Sequence, residues 1–329
     1  MTAVSVSLSG PRSVHLHRLR TVAKAVAGRL LTILIASFVV FMALSAAPGN
    51  PVRLVLGPKA SPAARAQLEH RLGLDQPILE RYWNWLTGVL HGDFGISLVY
   101  KTAVGPLIGA RIGTTLLLVA YAAVLILIAG LGIGVLGGAF RRAGAPVAGL
   151  TGFLLGVPSF VAAQLLILFF ALDLGWFPAQ GAGSGFSDQL YHLTLPAISL
   201  AIAFSAWVAQ VTMTSVREER IHEHVDTARG RGMAAPLVFR RHVLRNAAVP
   251  MITVSGLTVA SLFAGAVVAE RAFNIGGLGS LMLEAVSGKD YNIVLAVTLI
   301  LITVFVIATS VIDIVQYLLD PRLSKGGGR

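Results

Sequence analysis

His224-Val-Asp-Thr-Ala-Arg-Gly-Arg-Gly-Met233, followed at fixed distance by His242-Val-Leu-Arg-Asn-Ala-Ala-Val-Pro250, is the stretch that decides how this chain is read. It is a basic connection between two long apolar runs, and it has local order of its own. Residues 223–231 have the composition of a short helix, and Gly232 is placed to end it, since a residue without a Cβ suits a left-handed cap. Ala234-Ala235-Pro236 reverses the chain, and Pro236 suits the first turn of a second helix that runs through Phe239, Val243 and Leu244 towards Pro250. The first helix is too short to hold together alone. Its apolar content is Val225, Ala228 and Met233, which a groove on a separate soluble protein could receive.

Outward from this loop, composition fixes the broad class. Of 329 residues 55% are hydrophobic and only 12% charged, where a soluble domain carries roughly a quarter. Mean hydropathy is +0.78. Six apolar runs are long enough to cross a bilayer, at 30–47, 114–136, 147–172, 193–213, 249–269 and 291–318. The expectation is an all-α, polytopic membrane protein with six transmembrane helices. The run at 30–47 is followed by Ala-Ala-Pro but lies too late, behind a basic stretch, for a cleaved signal peptide. The sections expected are a tail at 1–29, the first span, an external loop at 48–113 with short helices, a five-helix core at 114–318 containing the connection 214–248, and a tail at 319–329.

Charge orients the spans. Seventeen of the 26 Lys and Arg residues lie in the two tails and in the second and fourth connections, while the third and fifth hold only Arg271 and Lys289. Both termini and the Asp226 loop are therefore expected in the cytoplasm, facing an anionic leaflet. The same scatter among short loops argues against nucleic acid as the partner of a chain with net charge +11. There is no cysteine, hence no disulfide or thiolate site.

The spans carry little chemistry. The second, third and fifth have no ionisable interior residue, and Asp313 sits near the cytoplasmic end of the sixth. Ion-coupled transporters need such groups at membrane depth, so energy should come from outside the bilayer. No nucleotide-binding Gly-x-x-x-x-Gly-Lys-Ser/Thr occurs, since Gly288-Lys289 is followed by Asp290. Ser159, Ser199 and His192 form no facing pair, and Gly183-Ser184-Gly185 lacks the strand–turn–helix setting of a nucleophile, so it reads as plain linker and the chain as no enzyme. Gly130, Gly134 and Gly138 recur at four-residue intervals, as do Gly152 and Gly156, which suits close helix packing. Pro158 and Pro196 are candidate kinks. In the external loop, Ser61-Pro62 and Gly73 bound one short helix, and Asp75-x-Pro77 starts another. On the latter Ile78, Tyr82, Trp85, Leu86 and Val89 share a face, with Trp83 nearby. It is expected along the outer membrane surface, or as a cap on the bundle's outer end.

Several landmarks in order resemble one family. Asp226-Thr-Ala with Gly232 six residues on is similar to the Glu-Ala-Ala–three residues–Gly loop of the permease subunits of ATP-binding-cassette importers. His242-x-Leu244-Arg245-Asn246-Ala247-x-x-Pro250 resembles the version in the peptide and nickel importers. Ala47-Pro-Gly-Asn-Pro51, Leu72-Gly-Leu-Asp-Gln-Pro77, Gly92-Asp-Phe-Gly-Ile-Ser97, Leu174-Gly-Trp-Phe-Pro178, Phe273-Asn-Ile-Gly-Gly-Leu-Gly279, Asp290-Tyr291 and Asp320-Pro-Arg322 resemble that family's other landmarks. The external loop is of the first-permease kind. The resemblance covers roughly residues 29–323. It departs at Asp226 (Glu in the family), at Thr227 (Ala), and at Gln210 and Met213, where relatives look basic.

The resemblance implies a type I importer permease fold in the inner (plasma) membrane of a prokaryote. It implies that 223–232 is a coupling helix seated on an ATPase subunit, through Glu223, Val225, Asp226, Thr227, Ala228, Arg229, Gly232 and Met233, with His242, Arg245 and Asn246 behind it. The implied partners are a second permease, two ATPase subunits and an extracytoplasmic substrate-binding protein. No cofactor is bound by this chain, ATP and Mg residing on the ATPase subunits. The implied cargo is a di- or oligopeptide; nickel or a metal chelate, an opine, or glutathione would suit the same architecture. An ATP-independent channel or scaffold is the reading of another class.

Overall fold

The computed structural model describes residues 11–46, 52, 56–57, 60–71 and 73–319. The landmarks at 47–51 and 320–322, and Leu72 of a third, lie outside the described residues. The described elements are helices: α1 (Pro11–Ala46), α2 (Pro62–Arg71), α3 (Ile78–Leu90), α4 (Val104–Ala139), α5 (Gly144–Leu155), α6 (Ser159–Asp173), α7 (Phe186–Arg220), α8 (Glu223–Gly230), α9 (Ala235–Ala272), α10 (Leu278–Ser287) and α11 (Tyr291–Leu319). Lys24–Ala46 of α1, α4, α7, α9 and Tyr291–Ile314 of α11 are each long and apolar enough to cross a bilayer. Several of these helices overrun the apolar runs read from the sequence. Lipid dictates where side chains must be apolar, but the hydrogen-bond ladder continues beyond it through polar residues.

The third expected span is not one helix. The chain breaks at Gly156–Pro158, and α5 and α6 meet at 94°. Pro158 is extended (φ −62°, ψ 139°) and stands before α6 rather than inside a helix. Having no N–H, it cannot continue the ladder of α5. The pair still makes one crossing, because α4 and α7 run parallel. Tyr121 Oη lies 3.3 Å from Thr194 Oγ1, and further along both helices Arg220 reaches the carbonyls of Gly138 and Ala139. Parallel neighbours require the chain between them to return across the bilayer, which gives an even number of crossings. Pro196 is buried within α7, and the helix passes through it unbroken.

α7 is the centre of the bundle. Of its most apolar window 56% is buried, against 11% for α1, so α7 is ringed by protein while α1 is peripheral. The contact with α4 runs backbone to backbone. A Cβ on Gly130 would come within 2.8 Å of Val208, one on Gly134 within 2.5 Å of Thr212, and one on Gly138 within 2.6 Å of Val216. This is the close approach that small residues allow where no hydrophobic effect drives association. The second glycine stripe does not behave so. Gly152 faces open space, and Gly156 meets only the carbonyl of Phe153 in its own turn, at 3.4 Å. Among the described residues no helix lies against that face of α5. Wide π-helical turns interrupt α4 at Leu127–Leu131 and α9 at Phe239–Leu244, and form the end of α6 at Ile167–Asp173.

At the end of the bundle away from α8, α3 docks on the flank of α1. Tyr82 Oη is 2.9 Å from Ser37 Oγ and donates to the Leu34 carbonyl at 3.2 Å. The rings of Phe38, Phe41, Tyr82 and Trp85 form one cluster. The aromatic face of α3 is therefore spent on protein, at the level of residues 34–41 of α1, while Leu79, Trp83 and Leu90 point outward. The segment before α4 is pinned to α10 and α11. Ser97 Oγ donates to buried Asp290 at 2.5 Å and Asn292 Nδ2 to the Ile96 carbonyl at 2.8 Å. Tyr100 Oη donates to Glu284 Oε2 at 2.6 Å, with Arg111 at 3.4 Å from the same oxygen. These two donors hold the Glu284 carboxyl below the usual glutamate range, the tyrosine bond being the larger cause, and the same bond raises the Tyr100 hydroxyl. At the opposite end Arg29 pairs with Asp313 at 2.9 Å, tying α1 to α11.

Two outcomes follow. Gly134→Val should destabilise the protein by about 1–3 kcal/mol or more through overpacking, whereas Gly132→Ala, with nothing within 4 Å, should be neutral; thermal unfolding in detergent compares them. Glu284 has a lowered folded-state pKa, so its contribution is complete above the unfolded value and is lost as pH falls through the folded one. Hydrogen exchange at residues 97–102 should accelerate below the ordinary glutamate range, and Glu284→Gln should show the faster exchange at neutral pH already.

Candidate functional site

α8 is held by its own chain. Val225 is fully buried and Ala228 is 4% exposed, and both join Val216 of α7 and Val238, Val243 and Ala247 of α9 in one apolar cluster. Met233, Phe239, Leu244 and Met251 pack around it. The expectation that a groove on another protein takes up the apolar content of this helix is thus corrected. Eight residues cannot hold as an isolated helix, and the nearest apolar surface is the diverging ends of α7 and α9. What the helix offers outward is polar: Glu223, Asp226, Thr227 and Arg229 are exposed.

Local chemistry supports each end. His222 is extended and precedes the helix, and the Thr227 hydroxyl donates back to the Glu223 carbonyl at 2.9 Å. Asp226 and Arg229 pair along the exposed face at 3.0 Å. After Arg231 the chain turns at Gly232 with φ +77°, the left-handed conformation expected of it, and Met233 N donates to the Ala228 carbonyl. Pro236 falls in the first turn of α9.

The residues placed behind the helix have distinct positions. Asn246 Nδ2 donates to Glu219 Oε1 at 2.9 Å, and His224 Nε2 lies 2.9 Å from that oxygen and 3.2 Å from the amide. Asn246 therefore ties α9 to the end of α7 and to α8 together. His242 is half-buried and lines a shallow cleft with His224, Thr227, Ala228, Arg231 and Met233. Arg245 is exposed and is not drawn into the cluster. Among the described residues no group of three or more His, Cys, Asp or Glu could hold a metal ion.

Sequence reasoning missed several residues that organise the molecule. Arg220 donates to the Gly138 carbonyl at 2.9 Å and to that of Ala139 at 2.5 Å, tying the end of α4 to the end of α7. A cation at a helix C-terminus is a readable signal, but which helix it serves is not. Glu219 is the acceptor on which Asn246 and His224 converge. At the other end of the bundle Glu270 is fully buried in the last turn of α9, bonded by Thr115 Oγ1 at 2.5 Å and by Ser280 N at 3.0 Å. A Cβ on Gly277 would collide with it. The 183–185 segment is also more than linker. Ser184 N donates to Asp188 at 2.7 Å, and Gly183, at φ +71°, leaves room for Asp188 and His192.

Comparison with known proteins agrees with this architecture. Residues 127–325 match the family described as binding-protein-dependent transport system inner membrane component, and residues 18–118 match the N-terminal region of the same systems' membrane component. The glutathione transport system permease protein GsiC of Salmonella choleraesuis (strain SC-B67) is 33% identical over 307 residues, covering 93% of this chain and 99% of that protein. Its counterpart in Escherichia coli (strain K12) is 32% identical over the same length. The fold is similar to that of the methionine transporter MetNI in inward-facing conformations, with TM-score 0.53 and 16% identity over 65% of this chain and 96% of that one. It is likewise similar to an amino acid ABC transporter crystallised with histidines, at TM-score 0.51 and 17% identity over 64% and 93%. The match over nearly the whole length decides the family, and the chain belongs to the ABC importer permeases of the peptide/nickel family, as a multi-pass inner-membrane subunit that is not itself catalytic.

Proposed function

We propose that this chain forms one half of a translocation pore for short peptides, with Glu223–Gly230 as the coupling helix that takes up the movement of an ATPase subunit. The observation that carries the reading is the two-sided build of α8. Its inner side, Val225 and Ala228, is locked into α7 and α9, while its outer side presents Glu223, Asp226, Thr227 and Arg229 to solvent. A force applied to the polar side has no soft element in which to dissipate before it reaches two membrane helices. Asn246 and Glu219 stiffen that junction, and Arg220 extends it to α4. ATP binding and hydrolysis on two ATPase subunits would then tilt α7 and α9 and alternate the access of the pore.

The remaining parts take their places around this. A second, homologous permease completes the pore, and an extracytoplasmic binding protein delivers cargo to the end of the bundle remote from α8. Residues 214–248 and both tails, 1–29 and 319–329, lie in the cytoplasm, following the lysine and arginine excess. Residues 48–113 lie outside, between the first span at 30–47 and the core at 114–318. Peptide cargo is supported by the similarity to permeases named for glutathione, itself a tripeptide. Apart from Glu270, which Thr115 and Ser280 already engage, the inner stretches of the central helices offer hydroxyls and apolar groups rather than charges, which suits weak handling of a solute that must be released.

Asp226→Arg should reduce cargo-stimulated ATP hydrolysis by the reconstituted complex by about tenfold or more, as reversal of an interfacial charge does, while insertion and folding stay normal. Ala228→Pro and Gly232→Val, the latter straining a φ of +77°, should abolish stimulation. Normal stimulation in all three would remove α8 from the coupling role. For the cargo, titration calorimetry of the cognate binding protein with di- and tripeptides, glutathione and Ni²⁺ is expected to show heat with a peptide; heat with Ni²⁺ alone would exclude the peptide assignment.

A further inference from the structure

A cavity of about 320 Å³ opens between α1, α3 and α11 at the end of the bundle remote from α8. Its walls are mixed. Phe41, Leu44, Trp85 and Leu295 supply apolar surface, while Gln76, Arg81 and Asn84 are polar. The Arg81 guanidinium lies over the Phe41 ring at 5.9 Å and, among the described residues, makes no ion pair with a carboxylate. Its charge has lost water to burial, which lowers its pKa, and no anion compensates. A half-buried cation beside a cavity is a cost, and an anion with oxygen acceptors would remove it.

Position says which anion. α1 is the peripheral span, and the cavity meets it at Phe41, Leu44 and Ser45, one to five residues before its end at Ala46. At 1.5 Å per residue that is within about 8 Å of the end of the apolar segment, where lipid headgroups sit. The cavity meets α11 at Tyr291, Asn292 and Leu295, at the start of that span. α3 itself turns Leu79, Trp83 and Leu90 outward, 63% exposed in the case of Trp83, as a helix facing acyl chains would. The central helix α7 contributes nothing to the lining, so the cavity is remote from the middle of the bundle. We infer that this cavity holds the phosphate of a phospholipid headgroup from the leaflet remote from α8, with Arg81 as its cation. A phosphate accepts two bonds from one guanidinium, and its acyl chains would run along the outward face of α3, past Leu79, Trp83 and Leu90. The bound lipid would then fix α3 against the first span.

Native mass spectrometry of the delipidated transporter complex tests this, with phosphatidylglycerol, diacylglycerol or inorganic phosphate added in turn. Wild-type complex should retain phosphatidylglycerol through this chain and should not retain diacylglycerol, which lacks the phosphate. Arg81→Gln should weaken retention by about tenfold, the usual effect of losing a charge-assisted bond. Arg81→Lys keeps the charge and loses the two-pronged donor, so it should weaken retention by a smaller factor; it also carries the test if Arg81→Gln fails to fold. Equal retention by wild type and the folded variants would overturn the inference. Displacement of the lipid by millimolar inorganic phosphate would replace a lipid ligand by a free anion and would also overturn it. So would an Arg81→Gln complex that keeps its lipid but loses affinity for the binding protein, since Arg81 would then serve a protein carboxylate.

Discussion

The backbone contact between α4 and α7 is the constraint from which the rest of the bundle follows. In lipid, apolar side chains gain nothing by leaving one hydrocarbon surface for another, so association rests on close packing and on hydrogen bonds. Gly130, Gly134 and Gly138 let α4 lie directly on the backbone of α7. Once that pair is fixed and parallel, the chain between must cross back, and α5 and α6 do so around their break. α9 then packs on the other side of α7, and α8 falls in the angle where the two helices part.

The two ends of the molecule are built differently, in keeping with their surroundings. Near α8 the junction is an apolar cluster ringed by surface polar groups, with exposed ion pairs that contribute little to stability. At the other end carboxylates are buried and bonded, Glu270 by a hydroxyl and a backbone N–H and Asp290 by Ser97 and the amide of Val99. Breaking such groups by removing one partner is costly, whereas the α8 junction is held mainly by apolar packing and moves with α7 and α9 as one body.

Much of this was legible in the residues. The apolar runs located the crossings because the bilayer sets their length, and Gly232 announced the end of α8 because few other residues accept its φ. The order of landmarks identified the family. What escaped reading depended on contacts distant in sequence. Val225 and Ala228 look equally apolar whether they face a partner or their own chain, and only the divergence of α7 and α9 decides. Gly152 and Gly134 sit in similar patterns, yet only one meets another helix. Pro158 could have been a kink; that it ends one helix and precedes another depends on the path of the chain through Gly156 and Val157. Tyr82 and Trp85 suggested a surface helix, and their hydroxyl and ring partners on α1 could not be paired from composition.

The wide turns have a consequence for counting along the chain. Each lodges about one residue more than a regular turn, so the angular phase of everything downstream advances by roughly 100°. In α9 that offset falls between Val238 and Arg245, which means that a helical wheel drawn through the whole element assigns the wrong bearing to one half of it. Deleting a single residue from Phe239–Leu244 would restore an ordinary spiral and swivel the entire upper part of the helix relative to its foot.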